Sequence, residues 1–325
     1  MFRTIALYVG LLISAGSTNA FAWGCDGHRA IVFVAEQLLS TATNNAVKTV
    51  LTASPVDAAL KRFCDPVPSD IIADVASWAD DERDVNPVTG AWHFINVPRS
   101  VGAAPSAYGK YCLNGDCIID AIVAQFKTLK KTSVDPTRKA DALRFIIHLV
   151  GDVHQPLHAI TNGDRGANCL PVTYFSQAPQ EDDKGNFAPN LHRVWDADLI
   201  RTLMAAQHLA DARALAAYIV QHGSTTSVVA QAPTTSRVKS WARASNALAR
   251  TVAYGRLPVN PPLEPAAAIT LTSCDDNNHV GRRMAKLHER LADGYAQAST
   301  PVIVRQLRLA GERLAAALEA AFPAP

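Results

Sequence analysis

A marked excess of either charge is missing from this chain of 325 residues: 31 Lys and Arg stand against 29 Asp and Glu, for a formal net charge of +2. Proteins that hold duplex nucleic acid by counterion release carry a basic surplus, so any attraction for phosphate must be local here. Also missing near the start is an apolar run of membrane length. Residues 5–13 are apolar but include Tyr8 and Gly10, and they are too few to span a hydrocarbon core. No CxxC pair occurs, and Cys112 and Cys117 are the one closely spaced pair, which argues against a zinc site built on cysteine. Heptads, internal repeats and a linker between independent domains are absent too.

What is present reads first as an exported chain. Arg3, the apolar stretch and then Ala20-Phe21-Ala22 have the basic, apolar and small-residue order of a signal peptide, with cleavage expected after Ala22. Residues 1–22 are therefore set apart, and 23–325 are expected to form one domain with no membrane anchor. Arg3 is the one charged side chain in the leader, so the mature chain stands near +1. Six cysteines in an exported chain favour disulfides. Cys112 and Cys117 can close a short loop. Pairing Cys25 with Cys64 and Cys169 with Cys274 is the expected remainder, although six cysteines allow fifteen connectivities and the sequence does not choose among them.

A composition of 48% hydrophobic residues supplies ample core. Helical periodicity runs through 30–39, 57–63, 71–78, 117–129, 138–153, 194–215, 238–253, 282–298 and 301–322, which predicts an all-α, mainly helical domain. The segment 92–97 is the clearest candidate strand, or else an extended stretch. Thr300 and Pro301 suggest the start of a last amphipathic helix with no chemical role.

Chemistry concentrates in a few segments. His148 and Asp152 are four apart in an otherwise apolar helical run, so they share one face. An unanswered charge there is costly unless a metal or partner meets it. Pro156 stops the helix and lets His158 return toward the same place. His192 and Asp196 repeat the one-turn spacing. Asp80 and His93 add ligands of the same type, while His154 lies off the metal face and His208, His222, His279 and His288 lie outside every motif.

In order along the chain, Trp23-Gly24, His28, Ser77-Trp-Ala-Asp80, His93-Phe-Ile, His148-(x3)-Asp152-(x)-His-Gln-Pro-Leu-His158 and Asn-Leu-His192-(x3)-Asp196 resemble the S1/P1 nucleases, and more distantly the zinc-dependent bacterial phospholipases C. The resemblance implies the phospholipase C/P1 nuclease-like fold and three Zn2+ ions. Asp80, His93 and His148 would hold the first ion, and His158, His192 and Asp196 the second. His28 with the amine and carbonyl of Trp23 would hold the third, and Asp152 would bridge the first and third.

It further implies a secreted or periplasmic endonuclease. The enzyme would cleave single-stranded DNA and RNA to 5′-phosphate products and act as a 3′-nucleotidase, with a monomer expected. Asp80, Asp152 and Arg83 would serve catalysis, and Phe94 and Asn96 would meet the base. Asn96 stands where fungal members carry aspartate. The first spacing and the final aspartate favour a nuclease over a phospholipase C, and a secreted zinc-binding protein without catalysis is the non-enzyme alternative.

Overall fold

The computed structural model describes residues 23–101, 105–112, 115–183, 185–223, 231–264, 274 and 279–323; the expected signal peptide lies outside the described residues. Helices dominate: α1 (Gly24–Glu36), α2 (Thr41–Ala53), α3 (Ile71–Asp74), α4 (Trp78–Val85), α5 (Ile118–Leu129), α6 (Pro136–Asp152), α7 (Leu191–Arg193), α8 (Leu199–Ala206), α9 (Ala212–His222), α10 (Thr235–Leu248), α11 (His279–Ala285) and α12 (Asp293–Ala321). The strands are short. β1 (Val172–Tyr174) pairs in parallel with β4 (Glu289–Leu291), and β2 (Gln180–Glu181) pairs antiparallel with β3 (Phe187–Ala188).

Local chemistry explains where the helices start. Ser40 accepts from Thr43 N, Asp70 from Ile72 N and Ala73 N, Asp135 from Arg138 N and Asp211 from Ala214 N, each satisfying a backbone donor that a first turn leaves open. Pro136 follows Asp135, so α6 begins with a cap and a proline already set at a helical φ.

The helix α1 packs on α12 and α9, and α6 packs on α5 and α2, around one apolar core. Three disulfides, Cys25–Cys64, Cys112–Cys117 and Cys169–Cys274, staple the loops to this body. The pairs coincide with those expected.

Several boundaries differ from the periodicity. Residues 57–63 are not helical, because Arg62 reaches Asp74, Phe63 N donates to Asp81 and Cys64 is tied to Cys25. The run 71–78 breaks at Val75, so Asp80 sits in the first turn of α4 rather than at a helix end. The segment 92–97 is no strand: a 3-10 turn over Pro87–His93 passes into extended backbone at Phe94. The run 194–215 divides into a π turn over Val194–Asp198, α8 and α9, and 238–253 into α10 and a second π turn, Ala249–Ala253. Finally, Pro301 lies inside α12 and does not begin it, with its ring on the exposed face, and Thr300 bonds back to Ala296 O instead of capping.

Candidate metal centre

The last turn of α6 brings His148 and Asp152 inward, both fully buried. Gly151 lies between them and leaves room for α1: a Cβ there would stand 2.9 Å from the His28 ring. The approach lets His28 stack on His148, with centroids 4.0 Å apart. Asp80 enters from α4 and His93 from the end of the 3-10 turn.

Asp152 is the hub. Its Oδ1 lies 3.3 Å from His28 Nε2, and its Oδ2 lies 2.9 Å from His93 Nδ1 and 3.2 Å from His148 Nε2. Asp80 faces the same rings, at 3.7 Å from His93 Nδ1 and 3.6 Å from His148 Nε2.

A second group forms where the chain returns after Pro156. His158 Nε2 and His192 Nε2 are 3.2 Å apart, and Asp196 Oδ2 is 3.3 Å from His192 Nε2. Two ring nitrogens at that separation suit neighbouring ligands of one ion, which at a metal–nitrogen distance of about 2 Å lies off the line that joins them. Backbone carbonyls fix the rings from behind: His148 Nδ1 meets Ala76 O at 2.9 Å, His158 Nδ1 meets His93 O at 2.7 Å and His192 Nδ1 meets Gly166 O at 2.6 Å. With Nδ1 donating, His158 and His192 present the Nε2 lone pair inward, and His148 would do so once an ion displaces its proton, the arrangement found behind metal-bound histidines.

Among the described residues the fit to metal ions is chemical as well as geometric. His28 Nε2, His93 Nε2, His148 Nε2, both Asp80 oxygens, Asp152 Oδ1 and Asp196 Oδ2 are buried without a hydrogen-bond partner. Such a concentration of orphaned polar atoms is costly unless something charged completes it. Three triads, His28-Asp80-His148, His93-His148-Asp152 and His158-His192-Asp196, each offer atoms within 4.8 Å of one another. Cys112 and Cys117 also lie near Asp120, but their sulfurs are spent on a disulfide.

Electrostatics agree. Burial, then the neighbouring His148, lowers His28; burial lowers His158; burial, then His158, pushes His192 down to about 3. These imidazoles are neutral at pH 7 and free to ligate. Burial would lower His148 too, but Asp152 and Asp80 outweigh it and raise it to about 9. Burial opposes the charge on Asp152, yet His148, His28 and His93 hold its carboxyl well below the usual range. Asp196, in contrast, is driven well above it by burial. A carboxylate buried beside two neutral imidazoles lacks positive charge, which a divalent ion supplies.

The remaining candidates flank the centre. Trp23 is fully buried in a left-handed conformation at the entrance to α1, its indole N–H donating to Gly151 O at 2.9 Å and its carbonyl accepting from Gly27 N. Arg83 Nη1 is 3.5 Å from Asp80 Oδ1. Phe94 is 36% exposed and Asn96 half-buried, on a segment laced to the second group through Ile95 N to His158 O and Thr161 N to Val97 O.

Residues that motif reading passed over also contribute. Gln155 donates to Asp196, and Asp81, raised to about 6 mainly by burial, anchors Phe63 N. Gln155 lies inside the motif that flagged His154 and His158, so position alone could have raised it. His154, off the metal face as expected, is fully buried and bonded to Val150 O and Arg313.

Helices around two buried histidine–carboxylate groups, with loops closed by disulfides, define a protein built to hold metal ions. The S1/P1 nuclease profile matches residues 23–323, and the chain belongs to that family. It is 27% identical to nuclease S1 of Aspergillus oryzae over 185 residues, 55% of each chain. To nuclease P1 of Penicillium citrinum it is 28% identical over 249 residues, 71% of this chain and 81% of that one. Endonuclease 3 of Arabidopsis thaliana is 29% identical over 204 residues, 60% of this chain and 61% of the relative.

Proposed function

We propose that this protein is a zinc-dependent nuclease that hydrolyses single-stranded DNA and RNA to 5′-phosphate products and removes 3′ phosphates from nucleotides. The observation that carries this is the convergence of eight buried ligand side chains from separate segments, with orphaned nitrogens and oxygens facing inward.

Three ions are assigned as follows. Asp80, His93 and His148 hold one, and His158, His192 and Asp196 another. His28 would take the third with the amine and carbonyl of Trp23, and Asp152 would be shared between the first and third, a role that its position between His28 and the His93/His148 pair supports. Zinc bound there would supply Lewis acidity toward a water nucleophile and positive charge for the phosphoryl oxygens. Asp80 and Asp152 set the geometry of the site, and Arg83 beside Asp80 offsets charge developing on phosphate. The exposed face of Phe94 offers a stacking surface that a paired base cannot use, which selects single strands, and Asn96 lies two residues on for hydrogen bonding to the base edge. Near-neutral net charge fits a local, not a global, grip on phosphate.

Disulfides suit an oxidising compartment, and no helix among the described residues is long and apolar enough to cross a membrane. Export through residues 1–22, a secreted or periplasmic location and a monomer complete the proposal.

Purified protein beginning at Trp23 is to be assayed on single-stranded DNA, RNA, a 3′-nucleotide and phosphatidylcholine, with and without chelator. Chelator-sensitive cleavage of the first three is expected. Cleavage of phosphatidylcholine alone makes it a phospholipase C, and zinc binding with no turnover makes it a non-catalytic zinc protein.

A further inference from the structure

Between the ligands of the two groups stands a fully buried amide that is not itself a ligand, Gln155, three residues after Asp152 and three before His158. Its amide oxygen accepts from Leu157 N, which leaves the amide nitrogen as the end that faces outward, and Nε2 donates to Asp196 Oδ1 at 2.5 Å. The two oxygens of Asp196 are thereby divided. Oδ1 is hydrogen-bonded by Gln155 and stands 3.9 Å from His158 Nε2, while Oδ2 has no hydrogen-bond partner among the described residues and faces His192 Nε2 at the shorter distance of 3.3 Å.

Gln155 is held as firmly as the group it holds. Its own turn is pinned from two other helices: Ser245 Oγ donates to Val153 O at 2.6 Å and Gln306 Nε2 donates to His154 O at 2.6 Å. The His158 and His192 rings are oriented by backbone carbonyls, which no substitution removes. Asp196 depends on a side chain.

We propose that Gln155 is a positioning residue for Asp196, fixing the carboxylate so that its unbonded oxygen, Oδ2, is the one offered to the ion shared with His158 and His192. This rests on the zinc reading above and adds to it a residue that couples the Asp152 turn to the far half of the site. Rotation of an unheld Asp196 about its side-chain torsions takes Oδ2 away from His192 and opens one ligand position.

The test separates the two hydrogen bonds of the amide. Gln155→Glu keeps an oxygen for Leu157 N but turns an acceptor toward Asp196; Gln155→Met, uncharged and of similar shape, loses both bonds and keeps the test readable if a buried glutamate prevents folding. Zinc per chain is measured by elemental analysis against graded chelator, and cobalt-substituted protein gives the visible spectrum of the site. In both variants one ion should be released at roughly 10–100-fold lower chelator strength than in wild type, with a changed cobalt spectrum. The remaining zinc should be retained, and metal-stripped Gln155→Glu should melt within a few degrees of stripped wild type. Wild-type zinc retention and spectrum in Gln155→Glu, or in Gln155→Met where the first does not fold, would reduce Gln155 to a cap on the 156–159 turn and overturn the proposal. A wild type without zinc would instead sink the functional reading itself.

Discussion

Asp152 illustrates how much one side chain can decide. It meets three imidazoles at 2.9–3.3 Å, and an amide in its place offers one acceptor and a donor pair that repels any cation. Asp152→Asn is expected to lower zinc content and slow turnover by on the order of 100-fold or more, whereas Arg83→Ala should leave zinc in place and slow turnover less. An Asp152→Asn protein with full zinc and near-normal rates would remove Asp152 from the bridging role. Far from the site, Glu36 carries a different signal. Burial, then the charge and hydrogen bond of Asp70, raise it to about 7, with Lys48 at 3.8 Å opposing. The folded chain thus keeps a proton on Glu36 up to about pH 7 that the unfolded chain releases above about 4.5. Stability must fall as pH rises through that window, and the cost is complete above it. Glu36→Gln should match wild type below pH 4.5 and gain on the order of 1 kcal/mol at pH 8, read from urea unfolding of metal-stripped protein. Equal stabilities at pH 8 would show that the carboxylate is already well solvated or paired.

At the scale of elements, legibility followed the density of the signal. The helix α6 was plain because an apolar run bears its own cap, Asp135-Pro136, and stops near Pro156. The helix α2 was missed because its buried stripe is only Thr43, Val47 and Leu51, one of them polar. The loop 57–63 looked helical because its fate is decided by Asp74, Asp81 and Cys25, all remote in sequence. The candidate site divides in the same way. His148, Asp152, His192 and Asp196 announce themselves by type and spacing, while Ala76, His93 and Gly166 act through carbonyls that every residue possesses. Gly166 has a further demand. Its φ is +61°, and a Cβ would stand 2.6 Å from Leu157 O and 3.3 Å from Ile160 O, in the loop that holds His192. Gly166→Ala is expected to lose about 1–3 kcal/mol of stability and weaken zinc at the His158/His192/Asp196 group, measured by denaturant titration and chelator competition. Unchanged values for both would mean that the loop relaxes without moving His192.

For the whole molecule, Trp23 joins the start of α1 to the site. Trp23 is buried against Gly151, one residue before Asp152, so whatever precedes it must leave or be accommodated there. A free amine with a pKa of roughly 7.7–8.0 can bind zinc, while a peptide nitrogen with a delocalised lone pair is a poor ligand. Protein starting at Trp23 should therefore hold about one ion more per chain than the same protein with an added alanine, and should be the more active. Identical zinc content and rates would leave Trp23 a packing residue. Distant segments are joined covalently as well, and the Cys169–Cys274 bond encloses His192, Asp196 and four helices, α7 to α10, within a span of 105 residues. A protease that cuts once inside that span, for instance at the exposed β2–β3 hairpin, creates two new ends but frees no fragment. The nicked protein would run as one species until a reductant is added, and could keep working with a broken backbone.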